Sequence, residues 1–240
     1  MASVDEIVYQ IRRHGSAETA AQCQIFFQTQ PGGYGFGDKF CGVNVPTLRK
    51  IAAANENISP EHLEKLLQNE LHEARFVALV LLVEKFKISE KQCLGLYLKN
   101  TKFINNWDLV DVSADKICGA HCLASGSSDI LWKLAKSNDL WENRIAIVAS
   151  LAFIRDNKLQ LTLDLCNHFL KHEHHLIHKA CGWMLRELGK RNENLLIEFI
   201  DEHKLPGIMK SYALEIIKKR GNLHGKGTGK SCGSDRMTQN

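Results

Sequence analysis

Trp107 and Asp111 stand four residues apart in Asn-Asn-Trp-Asp-Leu-Val-Asp at 105–111. That spacing puts both side chains on one face of a helix. An indole face attracts a cation through its ring quadrupole, and a carboxylate attracts the same cation by charge. Side by side they suit a reaction in which positive charge must be held. Two later segments carry related residue types: Leu-Trp-Glu-Asn-Arg at 140–144 and His-Lys-Ala-Cys-Gly-Trp-Met-Leu-Arg-Glu at 178–187.

The elements that must position these residues read as helices. Proline is scarce, with only Pro31, Pro46, Pro60 and Pro206 in 240 residues, which favours uninterrupted helices. Ser59-Pro60 opens one of them with an N-cap and a proline in the first helical position, and Leu63, Leu66 and Leu67 form its apolar stripe. Val77, Leu81 and Val83 continue the pattern in the next helix, and no strand is expected. A repeat underlies the pattern. Glu73–Leu79 aligns with Glu142–Val148 and Ile177–Trp183, which brings Arg75, Val110, Arg144 and Lys179 into register at steps of 35, 34 and 35 residues. A weaker copy falls at Lys210–Leu214. Such a period with two helices per unit predicts an all-α fold, an α-solenoid with a concave side.

In that frame Trp107 and Trp141 are equivalent, and Trp107, Asp111, Arg144 and Trp183 are expected to converge on the concave surface. Arg75, Lys179, Arg186, Lys190 and Arg191 would give it a basic rim for a phosphate backbone. Taken singly, each residue has a plainer reading. Trp107 and Trp183 could be core, Gly182 could mark either close packing or a crowded site, and Arg144 could serve an ion pair. Asp111 is the residue that packing explains least, because Ile145 and Ala180 stand at its place in the aligned copies.

The net charge of +4 is unevenly spread. From Lys218 onward six bases face one acid, so this tail carries +5 and residues 1–217 carry −1. A single repeat domain over 1–217 and a flexible, glycine-rich basic tail over 218–240 are expected. The body is no bulk polycation, so any nucleic acid must be met by a segregated face. The eight cysteines contain no CxxC pair and read as small apolar residues in a reducing compartment. Cys118, His121 and Cys122 share a helical face but lack a matching second pair, and no metal is expected. Met-Ala-Ser-Val-Asp-Glu has no apolar segment of a signal peptide, and Phe76–Val83 is too short to span a bilayer. The expectation is an intracellular protein, cytoplasmic or nuclear, neither secreted nor bound to a membrane. The segment at 31–38, Pro-Gly-Gly-Tyr-Gly-Phe-Gly-Asp, cannot hold a regular helix. It reads as a structural loop or, alternatively, as a phosphate cradle lacking the Lys-Ser/Thr of a P-loop.

The motifs NNWDLVD, LWENRIAIV and HKACGWMLRELGK resemble those of the AlkD-type DNA alkylation repair proteins, which are HEAT-like-repeat DNA glycosylases, over roughly residues 20 to 218. The resemblance implies a superhelix of antiparallel helix pairs whose groove cradles duplex DNA containing alkylated purines. It also implies hydrolysis of the N-glycosidic bond of positively charged N3- or N7-alkylated purines, without a cofactor, by a protein expected to be a monomer. Carried over residue by residue, Trp107 and Trp183 would flank the deoxyribose, Asp111 would stand near the anomeric carbon, and Arg144 would grip the phosphate backbone. The loop at 31–38 takes the place of a regular helix in that family, and Phe26 or Phe27 stands near the position of an N-terminal aromatic. Two other readings use the same architecture: a non-catalytic binder of branched or distorted DNA, and a protein–protein scaffold, which the near-neutral body charge favours.

Overall fold

The computed structural model describes residues 3–215 and 217. The expected basic tail, 218–240, lies outside them. The first helices are α1 (Val4–Arg13), α2 (Ala17–Phe26) and α3 (Val45–Ala54). Then come α4 (Pro60–Leu67), α5 (His72–Phe86), α6 (Glu90–Lys99), α7 (Trp107–Ser113) and α8 (Ala120–Ser125). The chain continues through α9 (Asp129–Ala135), α10 (Leu140–Ala149), α11 (Leu151–Arg155), α12 (Gln160–His168), α13 (His175–Gly189), α14 (Glu193–Glu202) and α15 (Gly207–Ala213). No strand forms among the described residues; the chain makes one isolated bridge, between Lys39 and Leu71.

The sequence dictates where the helices begin. Ser59 accepts a hydrogen bond from the His62 N–H, Asn106 caps α7 at the Trp107 N–H, and Asp139 accepts from the N–H groups of Trp141 and Glu142. Each cap satisfies donors that the first turn leaves without a partner. The cap therefore sets the rotational phase of the residues that follow, including Asp111 and Arg144.

The expected α-solenoid is what forms. Helices pair as α4 with α5, α9 with α10, and α12 with α13, and the second helices α5, α7, α10, α13 and α15 pack side by side in that order. The four register positions, Arg75, Val110, Arg144 and Lys179, fall on four consecutive second helices. One continuous apolar cluster runs from Ile7 to Ala213 through the layer between first and second helices. Two second helices are interrupted. Between α7 and α8 a π turn at Asp115–Gly119 inserts an extra residue, with the Gly119 N–H bonded to the Ala114 carbonyl. Between α10 and α11 the Ser150 hydroxyl donates back to the Ile147 carbonyl at 2.7 Å, a bond that bends helices.

The glycine-rich segment is a loop of tight turns between α2 and α3. It folds back on the end of α2, with Gly35 N–H on the Gln28 carbonyl and Gly37 N–H on the Thr29 carbonyl. Gly33, Phe36 and Asp38 also donate to carbonyls within residues 28–38. These bonds turn five of the loop's backbone N–H groups inward, which favours the structural-loop reading over a phosphate cradle. Gly35 is required for space, because a Cβ there would lie 2.2 Å from the Phe27 carbonyl oxygen.

The described cysteines are free thiols. Cys118 and Cys122 are fully buried, where burial pushes the Cys122 thiol up to about 11, and the His121 ring meets Glu90 at 2.6 Å. Among the described residues no helix is long and apolar enough to cross a membrane.

Candidate functional site

Side chains of α7, α10, α13 and α15 line an open cavity of about 570 Å³. Trp107 and Asp111 come from α7, Arg144 from α10, Lys179, Trp183 and Arg186 from α13, and Tyr212 from α15. Phe26 and Tyr34 enter from the N-terminal side. The structure thus brings Trp107, Asp111, Arg144, Lys179, Trp183 and Arg186 to one place.

Asp111 and Arg144 meet in a two-pronged pair. Arg144 Nε donates to Asp111 Oδ1 at 3.0 Å, and Nη2 donates to Oδ2 at 2.9 Å. Nη1 donates to the Leu176 carbonyl at 2.9 Å, which ties α10 to the start of α13. Arg144 is only 5 % exposed, whereas the Asp111 side chain keeps 22 % exposure toward the cavity. Burial raises the Asp111 carboxyl above its ordinary pKa, and the charge and hydrogen bonds of Arg144 pull against that rise. The guanidinium therefore holds the carboxylate in a fixed orientation and favours its ionised form. Arg144 has two further N–H groups beyond these three bonds.

The walls are aromatic. Phe27 stacks on Trp107 with ring centroids 5.3 Å apart, and Phe26 meets the same indole edge-on at 5.8 Å. Tyr34 sits edge-on to the buried Trp141 at 6.1 Å, and its hydroxyl donates to the Phe26 carbonyl at 3.2 Å. The equivalence of Trp107 and Trp141 thus ends in different roles, since Trp107 lines the cavity and Trp141 backs Tyr34. Trp183 stands between two hollows. Beyond the cavity it shares a second groove with Arg155, Glu187, Lys190 and Arg191. Gly182 beside it marks close packing: a Cβ there would come within 2.6 Å of the Met209 carbonyl and of Tyr212 Cβ. This contact seats α15, and with it Tyr212, against α13.

The remaining expected residues are placed as follows. Arg75 is not on the rim. It is 4 % exposed, and its guanidinium donates to Asp38 at 2.7 Å and to the carbonyls of Asn69 and Glu70. The register slot points this side chain at the acid ending the glycine loop, as it points Arg144 at Asp111. Lys179 and Arg186 line the cavity, with Arg186 ion-paired to Glu215. Lys190 and Arg191 lie in the neighbouring groove, where Lys190 also pairs with Glu187 at 2.6 Å. The sequence reading missed Tyr34 and Tyr212. The one hint of the first is an aromatic among glycines, where the chain has room to fold back.

A sequence model of the family described as "DNA alkylation repair enzyme" matches residues 7–217. No curated protein matches the chain. Among solved structures, a predicted DNA alkylation repair enzyme from Enterococcus faecalis is 18 % identical, with a TM-score of 0.67 over 86 % of this chain and 98 % of its own. AlkD2 from Streptococcus mutans is 17 % identical, with a TM-score of 0.53 over 88 % of this chain and 98 % of its own. The protein smu.31 from Streptococcus mutans UA159 is 16 % identical, with a TM-score of 0.53 over 89 % and 97 %. At these identities the structural likeness establishes the shared fold.

Proposed function

The chain belongs to the DNA alkylation repair enzyme family, and from that premise we propose that it is a DNA glycosylase that removes positively charged N3- or N7-alkylated purines from duplex DNA. The observation that carries this reading is the Asp111 carboxylate, fixed by Arg144 and open to a cavity walled by Trp107, Trp183 and Tyr34.

An alkylated purine already bears the positive charge that a general acid would otherwise have to supply. The bond between the sugar C1′ and the purine nitrogen breaks, and its electron pair leaves with the base, which becomes neutral. The sugar is left with oxocarbenium character. Asp111 stabilises that cation by charge, and the indole faces of Trp107 and Trp183 add cation–π attraction. Water then attacks C1′, and Asp111 orients it and takes its proton. The products are the free alkylated base and an abasic site. One carboxylate suffices, so no second acid is needed.

Lys179 and Arg186 in the cavity, and Lys190, Arg191 and Arg155 beyond Trp183, form a strip of cations on a body whose overall charge is near zero, with Arg186, Lys190 and Arg155 ion-paired to Glu215, Glu187 and Asp115. This strip suits a phosphate backbone, and the two remaining N–H groups of Arg144 would face the phosphate nearest the lesion. The test is base release from methylated duplex DNA, run beside Asp111→Asn. Wild-type protein should liberate N3- or N7-methylpurine, whereas Asp111→Asn should bind the duplex and release none. Wild-type protein that binds DNA without releasing base would favour the non-catalytic reading instead.

A further inference from the structure

A second group of buried charges lies beside the cavity and takes no part in the bond cleavage described above. His72, in the first turn of α5, occupies the repeat register of Trp107 and Trp141. Its Nδ1 meets Asp38 Oδ2 at 2.9 Å and its Nε2 meets Asp108 Oδ2 at 2.8 Å. A neutral imidazole has one N–H and could serve only one of these carboxylates, whereas the imidazolium serves both. Burial works against that charge, but Asp108 and Asp38 outweigh it, and the ring is pushed up to about 9. Asp38 also accepts from Arg75 at 2.7 Å and from Asn105 at 2.9 Å.

The position of each acid gives this bridge its meaning. Asp38 ends the glycine loop, and Asp108 lies in the first turn of α7, between Trp107 and Asp111. One imidazolium therefore fastens the loop to the helix that carries the carboxylate of the reaction. Rings reinforce the link: His72 stacks on Phe40 at 4.5 Å, Phe40 on Phe27 at 5.0 Å, and Phe27 on Trp107 at 5.3 Å. Apolar side chains of similar volume would stabilise a loop as well as buried charges do, or better. Buried charges also demand a fixed geometry of their partners, which apolar contacts do not, and Tyr34, in the loop that Asp38 ends, lines the cavity.

Resting on the glycosylase reading, we infer that His72, acting through Asp38 and Asp108, is a positioning residue that docks the 31–38 loop on α7 and thereby sets Tyr34 as a substrate-contacting wall of the Asp111 cavity. Tyr34 is then a binding residue of the reaction, and His72 and Asp38 act only through it and through Trp107.

Docking can be read without any DNA. The Lys39 carbonyl accepts the His72 backbone N–H at 2.8 Å, so the bond after Lys39, a trypsin site, is held in the docked end of the loop. In the full-length protein, Asp38→Ala should raise tryptic cleavage after Lys39 by about tenfold or more, because proteolysis tracks the opened population. Asp38→Asn, which keeps an acceptor for Arg75 and a polar contact to His72, should stay near wild type. On methylated duplex, single-turnover release should fall about tenfold in Asp38→Ala and in Tyr34→Ala, and the double variant should fall no further, because coupled sites are not additive. Duplex affinity should change far less than the rate. Additive losses, or an Asp38→Ala loop as resistant as wild type, would overturn the inference. If Asp38→Ala does not fold, His72→Gln replaces it, since one amide cannot bridge both acids. If wild-type protein releases no base, the glycosylase reading and the role of Tyr34 fall together, while the tryptic comparison still decides the docking. Base release with an unchanged loop in the variant sinks the docking alone.

Discussion

Asp111→Ala separates what the carboxylate does for the fold from what it does for the reaction. The substitution leaves Arg144, 5 % exposed, with one of its three hydrogen bonds, that to the Leu176 carbonyl. Removing one partner of a buried ion pair costs about 3–5 kcal/mol, because the other charge remains desolvated. The Asp111 side chain is 22 % exposed, so water can enter the vacated space, and a cost of about 2–3 kcal/mol is expected. In a body of this size that corresponds to a fall in Tm of roughly 5–10 °C. Asp111→Asn retains one acceptor oxygen for Arg144 and should cost only about 1 kcal/mol. Adding Arg144→Met to Asp111→Ala removes the stranded charge and should restore part of the loss, giving a coupling of about 2 kcal/mol in a double-mutant cycle. Urea unfolding followed by circular dichroism measures all five proteins: wild type, Asp111→Ala, Asp111→Asn, Arg144→Met and the double variant. If Asp111→Ala unfolds within about 0.5 kcal/mol of wild type, Arg144 does not depend on Asp111, and the argument that Arg144 orients the carboxylate is wrong.

Three further outcomes follow from the geometry. Gly182→Ala should lower stability by about 1–3 kcal/mol by overpacking and loosen Tyr212, measurable as a drop in Tm and weaker duplex binding; an unchanged Tm would show that α15 can yield. The folded-state pKa of His72, about 9, lies above its unfolded value of about 6.5. Its stabilisation is therefore full below pH 6.5 and is lost as pH rises through 9, so tryptic cleavage after Lys39 should quicken between pH 8 and pH 10 in wild type and respond far less in His72→Gln. His172, His174, His175 and His178, around the start of α13, have pKa values lowered chiefly by burial and secondarily by neighbouring positive charge. Their contribution is present above about pH 6.5 and lost as pH falls; a Tm that declines from pH 7 to pH 5, less so in His174→Asn, checks this.

Much of this architecture was legible in the sequence because repeats are periodic. The 34- and 35-residue steps identified which residues occupy equivalent places on successive second helices, and the fold follows that order. The same steps led to an error at Arg75. The register slot reads as a groove position, but its two arginines reach toward a carboxylate on a neighbouring element: Arg75 toward Asp38 and Arg144 toward Asp111. Whether such a pair lies in the groove or behind it depends on the acid, and Asp38 belongs to no repeat. Tyr34 was missed for the same reason. Periodicity says nothing about a glycine loop whose course is set by hydrogen bonds between its own backbone groups and by one buried imidazole 34 residues away. Tyr212 was hidden because α15 is the weakest copy of the repeat.

Helical-repeat arrays are ordinarily modular: each unit touches its neighbours, and units can be gained or lost with little harm to the rest. The cavity around Asp111 draws walls from Phe26 and Tyr34 near one end of the array and from Tyr212 near the other. This chain therefore has a fixed unit count. Excising the stretch from α9 to α10, or inserting another like it, could leave a folded array, but Trp183 and Tyr212 would arrive one step away from Asp111. Chimeras that exchange whole units within this family should preserve the site only when the number of units between the glycine loop and α15 is unchanged.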